Sequence, residues 1–290
     1  MIKNEQLLKG VRVIGVLNSQ ELFGHERGNI EVFKALSREG ANICVGVTTA
    51  FGGGAVRREI ETLGFEIFSI PFGTHWSKKL FVKNPLYLVW NIWRWLRSNM
   101  SVSRQVRKFS PTHFHMGSPF AFSFVGIAVR LSGKPLIVCL GVTPPVNSFF
   151  QMVLWRYFIG SADRVVANSA YVWRCSAEAS SSLRAHAPSV IFNLAASGQQ
   201  TPSQSKYDRG FKNIVYVGQI TRDKGVFEFV RAASLLLGRH PDLRYHLVGG
   251  SPYTTGTERE LIALIDELKM GGLFTFHGWV NNARTFLADA

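Results

Sequence analysis

Val215-Tyr-Val-Gly-Gln-Ile-Thr-Arg-Asp-Lys-Gly-Val226 begins as a β-strand and ends as a helix. Val215 to Val217 is a short β-branched and aromatic run, Gly218 allows a tight turn, and a basic loop feeds a helix that starts near Gly225. Free amides and the positive dipole end of such a helix suit a diphosphate, and Arg222 and Lys224 add full charges. Taken alone, the segment equally fits a solvated strand-to-helix loop. Two later segments narrow the reading. Tyr245-His-Leu-Val-Gly-Gly250 and Phe274-Thr-Phe-His-Gly-Trp-Val280 are further strands that end in glycine, at helix-length intervals. In an open parallel sheet ligands bind beyond the carboxyl ends of the strands, so the three loops would share one rim.

Upstream the same alternation runs almost without interruption. Strands are predicted over Arg12–Leu17, Ile43–Thr48, Glu66–Ile70, Thr112–His115, Leu136–Leu140, Arg164–Ala167 and Val190–Phe192. Helices are predicted near Asn29–Glu39, Ala55–Leu63, Pro85–Phe109, Pro119–Leu131, Asn147–Ile159 and Ala170–Leu183. Continuous apolar strands joined by helical crossovers make a doubly wound α/β sheet. The pattern lapses in the polar stretch around Gly198-Gln-Gln-Thr-Pro-Ser-Gln-Ser205, which reads as a linker. The expected organisation is a first Rossmann-like domain over 1–194, a linker over 195–212, and a second, incomplete Rossmann-like domain over 213–290.

The three downstream segments, in order, resemble the second domain of retaining glycosyltransferase family 4, which has the two-domain GT-B fold. That family's pattern is a glycine-basic turn with a downstream Lys-Gly, a Val-Gly-x-Gly-like strand end, and Phe-x-Gly-x-Val; the second is matched only approximately. In the first domain, Phe23-Gly-His-Glu-Arg-Gly28 is similar to the family's Gly-Gly-x-Glu-Arg loop, with Phe23 in place of the first glycine. Ala162-Asp-Arg-Val-Val-Ala-Asn-Ser169 and Ile191-Phe-Asn-Leu194 resemble two further stretches.

The resemblance implies transfer of a sugar from a UDP- or GDP-sugar to a lipid-linked or surface-glycan acceptor, without a cofactor, in a cleft between the domains. It assigns Lys224 to the donor diphosphate and the charge stabilisation of the leaving nucleotide; Gln219 stands where the family has a basic residue, and Arg222, nearer the lysine, is expected to supply the missing charge in its place. Gly218, Gly225, Gly249, His277 and Gly278 complete the donor set. Gly24, Glu26, Arg27 and His115 would border the acceptor, although for His113 and His115, two apart on one strand, the core reading is the favoured one. Two departures stand out. Gly141 occupies the place of a histidine that many family members carry, and the family's paired glutamates would lie past Ala290. The resemblance therefore implies a second domain cut short and a chain inactive or weak alone. A degenerate or split transferase, completed by a partner segment, is the competing reading.

Charge adds a separate expectation. The formal net charge is +14, and no acidic residue occurs between Glu66 and Asp163. In the predicted helix 85–109, Arg94, Arg97 and Arg104 fall on one side with Trp90 and Trp93 on or beside it, while Ile92, Leu96, Met100 and Val106 lie opposite and are expected to face the sheet. Tryptophan beside arginine suits an anionic membrane surface, so a peripheral position on the inner face of the membrane is expected. Cys44, Cys139 and Cys175 lack metal spacing, and an odd count argues for reduced cytosol. No Asp-x-Asp occurs, which fits a transferase that uses no metal. A dehydrogenase would need Gly-x-Gly-x-x-Gly after the first strand, which reads Leu17-Asn-Ser-Gln-Glu-Leu-Phe-Gly24. Nucleic-acid binding would rest on charge alone.

Overall fold

The computed structural model describes residues 7–22, 24–49, 54–74, 76, 84–145, 148–184, 186–193, 207, 210–251, 256–280 and 283–287. The chain divides into two compact units, Met1–Ala196 and Ser197–Ala290. Most of the predicted linker, Phe23 and the predicted helix start at Asn281 lie outside the described residues.

The first unit is built on β1 (Arg12–Val16), β2 (Asn42–Thr48), β3 (Glu66–Ile70), β4 (His113–Met116), β5 (Leu136–Leu140) and β6 (Arg164–Ala167). All are parallel, in the order β3-β2-β1-β4-β5-β6, the doubly wound arrangement whose order reverses between β1 and β4. The predicted strand at Val190–Phe192 is reduced to a single bridge between Ala167 and Val190.

Alternation along the strands sends side chains to two cores. On β1 and β2, Val13, Leu17, Ile43, Val45 and Val47 pack with Ile30 and Phe33 of α1 (Gly24–Arg38) and Val56 and Ile60 of α2 (Ala55–Thr62). Ile14, Val16 and Cys44 face the other way, into the core shared with α3 (Pro85–Phe109), α4 (Pro119–Leu131) and α5 (Phe149–Gly160). Serine caps start three helices: Ser118, Ser148 and Ser169 accept from Ala121, Gln151 and Val172 at α4, α5 and α6 (Ala170–Ala179). Ser180, extended, separates α6 from the short α7 (Ser181–Arg184), where one continuous helix was predicted.

α3 runs contrary to its predicted orientation. Its buried residues are Asn91, Ser98, Val102 and Gln105, whereas Leu86, Val89, Ile92, Trp93, Leu96 and Met100 are exposed. Each inward polar group has a partner. Asn91 accepts from the Thr74 amide at 2.8 Å and donates to the Thr74 carbonyl at 3.0 Å. Ser98 donates to the Pro71 carbonyl, and Gln105 donates to Glu66 at 2.9 Å. Paired in this way, the amides and hydroxyl tolerate burial. Ile92, Leu96 and Met100 therefore do not face the sheet; Val106 alone of that set packs partly against the core.

The second unit is a three-stranded parallel sheet in the order β7-β8-β9, made of β7 (Lys212–Val217), β8 (Leu243–Val248) and β9 (Phe274–Gly278). α8 (Val226–Ser234) and α9 (Thr257–Glu267) cover one face through Val226, Val230, Leu261 and Ile265 against Tyr245 and Leu247. Tyr207 and Phe286, the latter in α10 (Arg284–Leu287), pack with Val248.

Candidate functional site

Three strand ends meet at the carboxyl rim of the second sheet. The Gly218 amide donates to the Val248 carbonyl at 3.0 Å, the Ile220 amide to Gly250 at 3.1 Å, and the Gly249 amide to Gly278 at 2.9 Å. Side chains are excluded where these turns cross. Gly249 has φ +134°, and a Cβ there would overlap the Gly218 carbonyl oxygen. Gly218, Gly249 and Gly278 are thus brought together, as expected from their places after successive strands.

The loop leading to α8 is held from below. Ile220 is buried, and the Tyr216 hydroxyl lies 3.1 Å from the Gln219 carbonyl and 3.2 Å from the Lys224 carbonyl. Arg222–Lys224 form a 3-10 turn, and Gly225 follows at φ +74°, a conformation other residues adopt only with strain. No side chain caps the start of α8 at Gly225. Lys224 is about half exposed, with its ammonium 3.4 Å from Asp223.

Arg222 takes another direction. Its guanidinium bonds Glu260 at 2.5 Å and stacks 4.5 Å from the Phe227 ring, lining a groove of about 280 Å³ between α8 and α9. The expected charge donor to the diphosphate is therefore engaged with the helical layer. His277 is likewise engaged within the domain. Asn213 donates to the Phe211 carbonyl, which fixes its Oδ1 as the acceptor from His246 Nε2 at 3.0 Å. His246 Nδ1 must then accept from His277 Nε2, also at 3.0 Å. Burial first, and the neighbouring His277 second, hold the His246 pKa down. An aromatic missed in the sequence joins the rim: the Trp279 ring lies where a Gly250 side chain would stand. Its signal was an exposed tryptophan directly after a strand-end glycine.

At the rim of the first sheet, α1 begins after β1. Gly24 and Arg27 are exposed, and Arg27 donates to the Leu22 carbonyl at 3.1 Å. Glu26 is buried, and desolvation raises its carboxyl pKa to about 7. Gly28 lies against Asn193, so the first-domain loop and the segment before the linker do converge. His115 is buried and bonds Asn29 at 2.6 Å, with its pKa pressed to about 4 by burial and then by His25. It does not itself line an open cleft. His25 lies half-buried over Gly117 and Gly141. That residue was passed over in the sequence, although glycines at the ends of β4 and β5 were a signal that something else fills their side-chain space.

Of the residues expected at a membrane, Arg97 and Arg104 are exposed. Trp90 and Trp93 are 37% and 47% exposed. Arg94 is half-buried, stacked 4.7 Å from the Trp90 ring, and Arg97 lies 4.8 Å from Trp93. A separate groove of about 570 Å³, lined by Trp173, Arg174 and Arg184 among others, contains none of the predicted site residues.

Residues 199–290 match the model of the family described as glycosyl transferases group 1. The Anabaena protein HepE, in complex with UDP and glucose, superposes with a TM-score of 0.72 at 17% identity, over 97% of this chain and 72% of that one. The chain has the GT-B fold. A glycosyltransferase from Rickettsia africae shares this GT-B architecture, with a TM-score of 0.67 at 18% identity over 97% of this chain and 71% of its own. Sucrose-phosphate synthase from Thermosynechococcus elongatus does so with a TM-score of 0.64 at 15% identity, over 96% and 72% of the two chains. No curated protein sequence matches the GT-B chain described here. The group 1 match falls on the very segment that contains the glycine rim, Lys224 and α8.

Proposed function

We propose that this protein transfers a sugar from a nucleotide-sugar donor, UDP- or GDP-linked, to a lipid-linked or glycan acceptor. The observation that carries the reading is the rim of β7, β8 and β9, where crossed glycine turns leave the α8 amides and Lys224 open to a diphosphate. Leaving-group departure places negative charge on that diphosphate. A fixed cation and helix dipole at this point stabilise the charge as it develops, an effect often larger than any other in group transfer. The resemblance to family 4 favours retention of anomeric configuration.

Isothermal titration with UDP, GDP and ADP tests the proposal. One nucleotide should bind, and Lys224→Ala should weaken it; no binding by a folded chain would overturn the donor site.

The outward face of α3 supports a second element of the proposal, contact with an anionic membrane at the cytoplasmic side. Leu86, Val89, Trp93, Leu96 and Met100 recur at three- and four-residue steps, all exposed, with Arg97 stacked beside them. Exposed Ile127 and Leu131 on α4, and Phe149 and Val153 on α5, continue the apolar character. No acidic residue interrupts this region, so a negative surface meets apolar and cationic groups together. No described helix is long and apolar enough to cross a membrane.

A further inference from the structure

The phenol of Tyr216 donates to two carbonyls that bracket the loop carrying Lys224. Tyr216 lies on β7 and faces the helical layer, where its ring meets Phe229 of α8 at 5.6 Å. Phe229 in turn packs edge-on against Tyr245 and Phe274, so the Tyr216 ring is mounted on the core of the second unit. Its hydroxyl reaches past the strand end, 3.1 Å from the Gln219 carbonyl and 3.2 Å from the Lys224 carbonyl. Carbonyls only accept, so the single phenol hydrogen serves both ends of the loop. Burial, and after it the Asp223 carboxylate, raise the Tyr216 pKa above its ordinary 10, which keeps that hydrogen in place. Gly218 leaves the hydroxyl its room: a Cβ there would stand 2.9 Å from the phenol oxygen.

The bond to Lys224 takes up an acceptor that a longer helix would use. In a regular α-helix the Lys224 carbonyl would accept from the amide of Glu228, four residues on. Instead the Phe229 amide bonds the Gly225 carbonyl at 2.9 Å, and among the described residues the Glu228 amide has no acceptor. Gly225 stands at φ +74° between the 3-10 turn and α8, yet a glycine adopts either sign of φ about equally well. The glycine permits the break without imposing it. With Gly225 turned helical, α8 would begin one residue earlier, Lys224 would be drawn onto the helix, and the Glu228 amide would be closed. The free amides at the helix start would then be displaced by about 1.5 Å along the axis. Against this stands the hydroxyl that already holds the Lys224 carbonyl.

We propose that Tyr216 is a positioning residue for the donor diphosphate: its hydroxyl holds the Lys224 carbonyl, fixes the start of α8 at Gly225, and so keeps the Glu228 amide open and Lys224 off the helix. The ligand class rests on the sugar-transfer reading; the hydrogen bonds do not.

Amide hydrogen exchange of the full chain, followed by NMR, tests this with Tyr216→Phe, which keeps the ring and its packing on Phe229. In the parent the Glu228 amide should exchange fast and shift when pyrophosphate or UDP is added. In Tyr216→Phe it should exchange about tenfold more slowly, captured by the Lys224 carbonyl in one ordinary hydrogen bond. The Phe229 amide, bonded to Gly225 in either case, should keep its rate. UDP affinity should fall about tenfold, the loss of one charge-assisted hydrogen bond. Gly225→Ala, which favours a helical φ at the junction, should move the Glu228 amide and UDP affinity in the same direction with Tyr216 intact. A Glu228 amide already protected in the parent, or one that exchanges no more slowly in Tyr216→Phe, overturns the proposal. Faster exchange throughout α8 does so too, because it would make the hydroxyl a general stabiliser, as does equal UDP affinity in parent and variant. Failure of both UDP and pyrophosphate to bind the parent would sink the donor-site reading instead, while the Glu228 and Phe229 rates still judge whether Tyr216 sets the helix start.

Discussion

Gly249 and Gly218 pass so closely that a methyl group on the first would overlap the carbonyl oxygen of the second. The contact ties the turn after β8 to the turn after β7, and so sets the floor of the candidate diphosphate site. Gly249→Ala must both separate the turns and hold φ near +134°. The backbone strain alone costs about 1–3 kcal/mol. Urea denaturation should show the second domain destabilised, with nucleotide binding reduced. Gly256→Ala, at a position with open space around it, should leave both nearly unchanged.

Lys224 and Arg222 are two residues apart, yet the structure separates their roles. Arg222 is spent on Glu260 and Phe227, whereas among the described residues the Lys224 ammonium has only the adjacent Asp223 as its ion-pair partner, at 3.4 Å. A charge-assisted hydrogen bond contributes about 1.5–3 kcal/mol, or roughly ten- to hundredfold in affinity. Titration should therefore find nucleotide binding weakened by that factor in Lys224→Ala and by less than about threefold in Arg222→Ala. The exposed Arg222–Glu260 pair should contribute little to stability. An equal loss from both variants would return Arg222 to the donor site.

The fold was legible because buried parallel strands and their crossovers leave a period in the sequence that needs no partner information. β3, β5, β6, α3 and α4 fall at their predicted bounds. Site geometry was legible only where the backbone itself makes it, as at Gly218, Gly225 and Gly249. Side-chain destinations were not. Arg222 and His277 find Glu260 and His246, 38 and 31 residues away, and no local pattern announces such pairings. α3 failed for the same reason: the rule that apolar faces turn inward assumes that buried amides lack partners, and Thr74, Pro71 and Glu66 supply them. His25 was hidden by the resemblance itself, which directed attention to its neighbours Gly24, Glu26 and Arg27.

The inverted helix predicts an inverted mutational pattern. Asn91→Leu adds apolar surface to an inward position, but strands the Thr74 amide and carbonyl, at a cost of about 1–3 kcal/mol. Leu96→Glu removes an outward leucine and should change stability by no more than about 0.5 kcal/mol. Thermal unfolding checks both. Flotation with vesicles containing anionic phosphatidylglycerol should show the reverse order, with Leu96→Glu and Trp93→Glu releasing the protein and Asn91→Leu, where folded, retaining it. Binding to neutral vesicles with equal strength would remove the electrostatic part of the membrane proposal.

Glu26 makes stability depend on pH in a definite direction. Its carboxyl is buried in the first turn of α1, and desolvation raises its pKa from an ordinary 4.5 to about 7. Between those values the folded protein holds a proton that the unfolded chain has released, so folding is favoured below the unfolded pKa and the contribution is lost as pH rises from 4.5 through 7. Glu26→Gln keeps the shape and removes the titration. The variant should gain stability over the parent as pH rises through this window, reach its full advantage above pH 7, and show a flatter profile in denaturant melts taken at successive pH values. A parent protein whose stability rises across the same interval, with the variant's advantage absent at pH 8, would place Glu26 beside a cation rather than in a desolvated pocket.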